Sequence, residues 1–143
     1  MTILDIRTLF SDDQAITATA VSTNVLDRGA VGTPVGGAAA LSSDLGKSMV
    51  PFEVIVTEAF ATLTSLTITL ETDDNSGFSS ALTKWTSGAV AAAALVVGKR
   101  IPIGYVPEGV DERYVRLNYT VTGSSATAGK ITAGIAAGLQ TNR

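Results

Sequence analysis

The sequence predicts an all-β domain, a sandwich or barrel of seven or eight short strands. The main evidence is a hydrophobic period of two: in residues 65–72, leucine and isoleucine alternate with polar residues, as in a strand with one buried face. Residues 112–121 and 130–137 repeat this alternation. Turn-forming residues separate the apolar runs at 73–77, 107–111 and 123–125.

Other patterns predict the remaining strands. The dense apolar run at 52–57 indicates a strand that is covered on both faces. Threonine and valine dominate residues 16–26 and predict a further strand, since β-branched residues favour pleated sheets. Shorter strands are expected at 81–85 and 100–103. All 143 residues are expected to form one domain.

Two segments do not read as plain strands. Residues 9–14 contain Ser11 and, three positions later, Gln14, which is a capping-box pattern. A single helical turn and an ordinary polar bend are both compatible with it. Residues 89–97 are rich in alanine and allow a short helix, but flanking glycines and paired valines favour an extended or irregular path.

Two further segments are candidates for contacting a partner. The N-terminal segment, residues 1–14, is unusually apolar for a chain end. We expect it to form an edge strand, to bind a partner, or to do both. Residues 28–49 form one long irregular stretch rich in glycine and alanine, and loops of this length are usually functional. The candidate partner-binding residues are Ile3, Leu4, Ile6, Leu9, Phe10, Val31, Pro34 and Val35.

The composition favours an assembly component. Only 16% of the residues are charged, against about 25% in ordinary soluble domains. A surface with so little charge suits a protein packed against copies of itself or a larger partner. The net charge of −3 and the scattered lysines and arginines argue against nucleic-acid binding.

Several kinds of catalytic and metal site are excluded or disfavoured. The chain has no histidine and no cysteine, which excludes a Ser-His-Asp triad, a thiolate nucleophile and a structural zinc site with nitrogen and sulfur ligands. The carboxylate pairs Asp12-Asp13 and Asp73-Asp74 are poor candidates for acid–base catalysis, because each pair consists of chain neighbours. We therefore expect no catalytic residue and no cofactor. The run 73–77 is expected to be a turn rather than a calcium site.

No segment of the sequence predicts contact with a membrane. The longest apolar stretch, residues 89–97, is far shorter than the ~20 residues of a membrane helix. The first residues lack the pattern of a signal peptide. The chain is therefore expected to be soluble and made in the cytoplasm.

Blocks of residues along the chain resemble the small jelly-roll cement, or decoration, proteins of tailed bacteriophage capsids. The resemblance is clearest at Arg113-Tyr-Val-Arg-Leu-Asn-Tyr-Thr-Val121. The chain departs from the family pattern at residues 29–49, where the path between strands is longer and richer in glycine and alanine. The other matching blocks are residues 9–27, 50–60, 70–80, 98–103 and 127–134.

This resemblance implies a jelly-roll sandwich without enzymatic activity. It implies a homodimer or homotrimer that lies on the outer surface of the capsid and bridges subunits of the major capsid protein. A carbohydrate-binding or receptor-binding jelly-roll module is the main alternative, although a chain with 6% aromatic residues offers few rings for stacking on sugars. A cupin-type enzyme is a weaker alternative, since such enzymes usually bind metal through histidines.

Overall fold

The structure, a computed structural model, describes residues 3–41 and 43–138. The first two residues of the predicted N-terminal segment and Ser42 of the predicted loop lie outside the described residues. The described part is all-β, with two single turns of 3-10 helix at Gly46–Ser48 and Ala92–Ala94. Its seven strands are β1 (Leu4–Ala15), β2 (Ala20–Val21), β3 (Leu26–Asp27), β4 (Pro51–Asp73), β5 (Leu82–Ala91), β6 (Arg100–Tyr105) and β7 (Tyr114–Ala136).

Two long strands, β4 and β7, organise the fold. They pair antiparallel along their whole length, and their register shifts repeatedly between Val56 and Ser65 of β4, where the pair bends. On one side of the bend, β1 pairs with β7 and β6 pairs with β4. On the other side, β2 and β3 pair with β7 and β5 pairs with β4. The single antiparallel sheet is therefore folded into two layers, which confirms the predicted all-β sandwich; the jelly-roll assignment stays a prediction.

The bend depends on glycine in β7. Gly123 and Gly129 have φ values of +89° and +136°, which L side chains rarely adopt. A Cβ on Gly129 would lie 2.3 Å from Cδ1 of Phe60, and a Cβ on Gly123 would lie 2.2 Å from Oγ1 of Thr64. β4 can therefore follow β7 around the bend only because these two positions carry no side chain.

One hydrophobic core lies between the layers and draws residues from both. The rings of Phe10 and Phe52 meet edge to face with centroids 5.4 Å apart. A polar contact joins the layers: the hydroxyl oxygens of Tyr119 in β7 and Ser11 in β1 are 2.7 Å apart. Burial raises the pKa of Tyr119, so this hydroxyl stays neutral and can share a proton with Ser11.

The predicted strand at 16–26 is largely wrong. Only β2 and the first residue of β3 are strand in this range, and the residues between them are bends or irregular. The backbone groups there bond outside a regular ladder: the N–H of Thr23 donates to Oε1 of Gln14, and the N–H of Asn24 donates to the carbonyl of Phe10. These contacts replace the continuous pairing that the β-branched composition indicates.

Both interpretations of residues 9–14 are wrong, because β1 runs through them and pairs with β7. The hydroxyl of Ser11 does donate to Gln14, but to its side-chain Oε1 and not in a helical cap. Residues 89–97 are extended up to Ala91 and continue into a 3-10 turn, so the extended or irregular prediction holds only in part. The predicted pairs of strands at 52–57 and 65–72, and at 112–121 and 130–137, are the two halves of β4 and of β7.

No helix in the described part of the chain has the length and apolar character needed to span a membrane.

Candidate interaction surface

A bulge in β1 interrupts the edge of the first layer. Leu4 pairs with Ala136 and Leu9 pairs with Gly134, so four residues of β1, 5–8, lie opposite a single residue of β7. The bulge closes on itself, since the N–H of Arg7 and the hydroxyl of Thr8 donate to the side chain and the carbonyl of Asp5. Bulges of this kind keep an edge strand from pairing at random with other sheets.

The bulge presents Ile6, whose side chain is 77% exposed, as a ridge between two grooves. The groove towards residues 24–26 has a volume of about 480 Å³. The groove towards the end of β7 has a volume of about 620 Å³ and is lined on the far side by residues 135–137. Ile6 lines both grooves, so this exposed apolar side chain lies between them.

A second exposed apolar feature is the segment of residues 30–41, which we call the arm. All twelve of its residues are exposed, and the sequence contains no charged residue from Gly29 to Ser43. The N–H of Leu41 donates to the carbonyl of Gly32 at 3.0 Å, and that of Gly37 donates to the carbonyl of Pro34 at 2.8 Å. The arm is therefore a hairpin-like loop whose tip, around Val35, is a tight turn with Gly36 at φ +79°.

Charged side chains fix the first leg of the arm to residues 110–113. Arg113 donates two hydrogen bonds to the carboxylate of Asp27, at 2.7 and 2.8 Å. The guanidinium of Arg28 donates to the carbonyls of Val110, Glu112 and Ser43, and thereby also ties the two legs together. Bidentate pairs of this kind hold both distance and orientation.

The second leg is fixed by Asp44 and Gly46. The carboxylate of Asp44 accepts hydrogen bonds from the N–H groups of Gly46 and Gly109, both at 2.9 Å. A Cβ on Gly46 would lie 2.2 Å from the carbonyl oxygen of Pro107, so only glycine permits this close approach. We call Asp27, Arg28, Asp44 and Arg113 the root of the arm.

The bulge and the root lie at the same end of the sandwich, away from the bend. The bulge pairs near the end of β7, and Asp27 pairs with Tyr114 at its beginning. The groove between the bulge and residues 24–26 runs up to Leu26, the residue before the root. The two exposed apolar features therefore lie at one end of the sandwich, and the partly exposed ion pair of Asp27 and Arg113 follows the groove at Leu26.

The structure places the predicted partner-binding residues as follows. Ile3 and Ile6 are exposed beside the grooves, and Val31, Pro34 and Val35 are exposed on the arm. Leu4 and Leu9 are half-buried in β1. Phe10 is buried in the hydrophobic core against Phe52, and it is also one of the residues that line the first groove. The N-terminal segment is thus an edge strand, and its binding role stays a prediction.

Sequence reasoning missed Val25, which lines the first groove, and Leu41 on the arm. It also missed the four residues of the root. The absence of charge from Gly29 to Ser43, bounded by Arg28 and Asp44, is a signal that could have indicated both the arm and its ends.

One carboxylate of each pair, Asp13 and Asp73, has a structural role. The carboxylate of Asp73 accepts hydrogen bonds from the N–H groups of Asn75 and Ser80, which is the arrangement of the predicted turn. Thr57 and Lys130 bond the carboxylate of Asp13 and lower its pKa. Among residues 3–41 and 43–138, no group of three or more acidic side chains is placed to hold a metal ion.

The root gives a testable dependence on pH. The guanidinium of Arg113, followed by the N–H of Gly29, lowers the pKa of Asp27 from 3.8 to about 2. Because the folded pKa is the lower one, the ion pair stabilises the root fully above pH 3.8 and loses this effect as the pH falls through about 2. The carboxyl carbon shift of Asp27, followed by NMR, is expected to titrate with a midpoint near 2. A midpoint at the ordinary value would show that the root does not form in solution; Asp27→Asn identifies the signal.

Comparison with known proteins gives one family. The family model described as Bbp16 matches residues 10–135. No curated protein matches the chain.

Proposed function

The chain belongs to the Bbp16 family, and from this premise we propose that it is a non-enzymatic structural protein of a bacteriophage particle. In this proposal it is a cement protein that binds the outer surface of the capsid and bridges subunits of the major capsid protein. The family name is of a kind given to phage proteins. The resemblance of the sequence to capsid cement proteins supports the more specific role of binding and bridging capsid subunits.

The observation that carries the proposal is the arm. An exposed segment of twelve residues without a charge is unfavourable on a freely diffusing monomer, because all its side chains except that of Thr33 are apolar or absent. The chain nevertheless holds this segment in place with a bidentate ion pair and a guanidinium that binds three carbonyls. An exposed apolar segment that is held in one place by these bonds favours a role in which another protein covers the arm.

The two-layered sheet suits a mechanical role. Two layers with β4 and β7 at the centre of both fit the jelly-roll part of the proposal. A rigid block with several separate contacts raises the effective concentration of each remaining contact when one breaks. A shell under outward pressure from packaged DNA would therefore open only when several weak contacts fail together.

The proposal is tested with empty shells assembled from the major capsid protein of the same phage. Wild-type protein is mixed with the shells, and the copies bound after sedimentation are counted. We expect saturable binding of the wild-type protein. Ile6→Asp is expected to weaken this binding at least tenfold, because it would bury a charge in the contact. A tenfold loss of affinity corresponds to about 1.4 kcal/mol. The matched control is Val97→Asp, since Val97 is 66% exposed and precedes β6 at the opposite edge of the first layer.

Absence of wild-type binding to these shells would refute the proposed function. If Ile6→Asp and Val97→Asp weaken shell binding equally, the surface around Ile6 has no specific role in that binding. Deletion of residues 1–10 is a poorer test, because it removes Phe10 from the core.

A further inference from the structure

We propose that the outer edge of β5 is closed to pairing with other proteins by a bulge that bonds its own backbone. The bulge consists of Thr86, Ser87 and Gly88, and its side chains occupy backbone groups that another strand would otherwise bind. This inference goes beyond the proposed function, since it concerns the isolated chain and the part of its surface that does not bind a partner.

β5 has the features of a strand that aggregates. Among the described residues it pairs with β4 alone, so its second edge has no partner strand there. The sequence contains no charged residue from Trp85 to Gly98. An uncharged edge strand with free N–H and carbonyl groups is a template for edge-to-edge pairing. A chain with 16% charged residues has little other protection against such pairing.

The bulge interrupts the ladder between β5 and β4. Only Ile68 of β4 lies between the two pairs that flank Ser87 and Gly88, so two residues of β5 lie opposite one. Gly88 has φ +68°, in the left-handed region that glycine tolerates. A Cβ on Gly88 would meet nothing within 4 Å, so glycine is required here for its backbone conformation and not for space.

The side chains of the bulge bond its backbone. The N–H of Gly88 donates to Oγ1 of Thr86 at 3.2 Å, and the carbonyl of Gly88 accepts a hydrogen bond from the hydroxyl of Ser87 at 2.7 Å. The same hydroxyl oxygen accepts the N–H of Ile68 at 2.9 Å, in place of a backbone carbonyl. An incoming strand therefore meets an N–H and a carbonyl that already have partners.

A second interruption keeps the regular parts of β5 short. Lys84 is an extra residue between Thr83 and Trp85, which pair with adjacent residues of β4. A lysine on an edge strand opposes the approach of another sheet. The longest uninterrupted run of β5 is therefore residues 89–91, after which the chain enters a 3-10 turn.

The edge of the first layer is interrupted in a comparable way. β6 has two residues, Pro102 and Ile103, opposite a single residue of β4. Proline has no N–H, so it offers no donor to another strand. Together with the bulge of β1, these features interrupt the outer strands β1, β5 and β6. The sheet is therefore not extended by a further strand, and contacts with other proteins are left to side chains and loops.

The test removes the bulge of β5. Deletion of Gly88 leaves one residue opposite Ile68 and joins the short runs into a ladder of six residues, from Trp85 to Ala91. Ser87→Val is added, because position 87 would then share the face of Ile68, which is fully buried. We expect this variant to be folded by circular dichroism. By light scattering, its mass should rise with concentration to at least five times that of wild type, whose mass should stay constant.

Thr86→Lys in the deletion variant separates edge pairing from aggregation by another route. The side chain of Thr86 is exposed, so a lysine there places a charge on the edge without entering the core. We expect the mass to return to within twofold of wild type. A deletion variant that keeps the wild-type mass at every concentration would overturn the proposal, as would aggregates that Thr86→Lys does not reduce.

A second pair of variants decides the question if the deletion variant does not fold. Thr86→Val with Ser87→Val keeps the chain length and removes the two hydroxyls that bond Gly88. Its control, Thr67→Val with Ser65→Val, makes the same chemical changes on β4, which has a neighbouring strand on each side there. Association that depends on concentration is expected only from the β5 variant, and equal masses would contradict the proposal. Shell binding is measured separately, so the proposed function can fail while this inference stands, and the reverse.

Discussion

Replacing Gly129 with alanine is expected to lower the free energy of unfolding by about 3 kcal/mol, through a strained backbone and a steric clash. The backbone at this position has φ +136°, and an added Cβ would lie within 2.6 Å of three atoms of the Phe60 ring. Phe60 is buried, so its ring cannot turn into solvent to make room. Chemical denaturation followed by circular dichroism measures the change.

The matched control for this substitution is Gly32→Ala. A Cβ on Gly32 meets nothing within 4 Å, and its φ is outside the left-handed region. Its effect is expected to stay below about 1 kcal/mol in either direction. Similar stabilities for the two variants would mean that the bend does not require glycine at position 129.

Replacing Arg100 with alanine is expected to destabilise the fold by about 2 kcal/mol, because it leaves the carboxylate of Glu53 buried without its partner. Nε of Arg100 donates to Oε1 of Glu53 at 2.8 Å, and the side chain of Glu53 is only 5% exposed. This expected loss of stability is smaller than is usual for a broken buried ion pair, because the side chain of Arg100 is 38% exposed.

A second substitution separates charge burial from lost packing. Adding Glu53→Gln to the Arg100→Ala variant removes the stranded charge and is expected to recover at least half of the lost stability. The control is Lys84→Ala, which breaks an ion pair of 3.9 Å whose aspartate is 58% exposed, and should cost less than about 1 kcal/mol. A double variant that is no more stable than Arg100→Ala would contradict this account of the Glu53 site.

Much of the fold follows from local pattern. The alternation in residues 65–72 predicts one buried face, and Leu66, Ile68 and Leu70 are all fully buried. The same holds for Val115, Leu117 and Tyr119 in β7. These predictions succeed because side chains alternate in any strand, whatever it pairs with.

The failures arise where pairing partners decide the structure. Ser11 and Gln14 form a capping pattern, yet their segment is a strand because both residues pair with β7, at Ala133 and Ile131. Residues 16–26 have the composition of a strand, but Gln14 and Phe10 bind part of their backbone. Local sequence carries no information about which distant groups will be close.

The candidate interaction surface was likewise predictable from the sequence only in part. Five of the eight candidate residues are exposed, since an apolar chain end and a long irregular loop are visible in the sequence. Phe10 is a core residue, because β1 places its side chain against Phe52. The link between the bulge and the arm was not predictable, since it depends on the pairing of β1 and β3 with opposite ends of the same strand.

The sequence by itself determined the all-β class, the buried faces of the long strands, the lack of charge from Gly29 to Ser43 and the absence of histidine and cysteine chemistry. Only the tertiary structure decided that β4 and β7 bend together at glycines, that Ile6 stands between two grooves, and that Asp27 and Arg113 hold the arm beside them. The physical reason is the separation along the chain of the residues that interact. Period and composition act between near neighbours along the chain, whereas a groove or an ion pair between residues 86 positions apart exists only after the sheet has folded over.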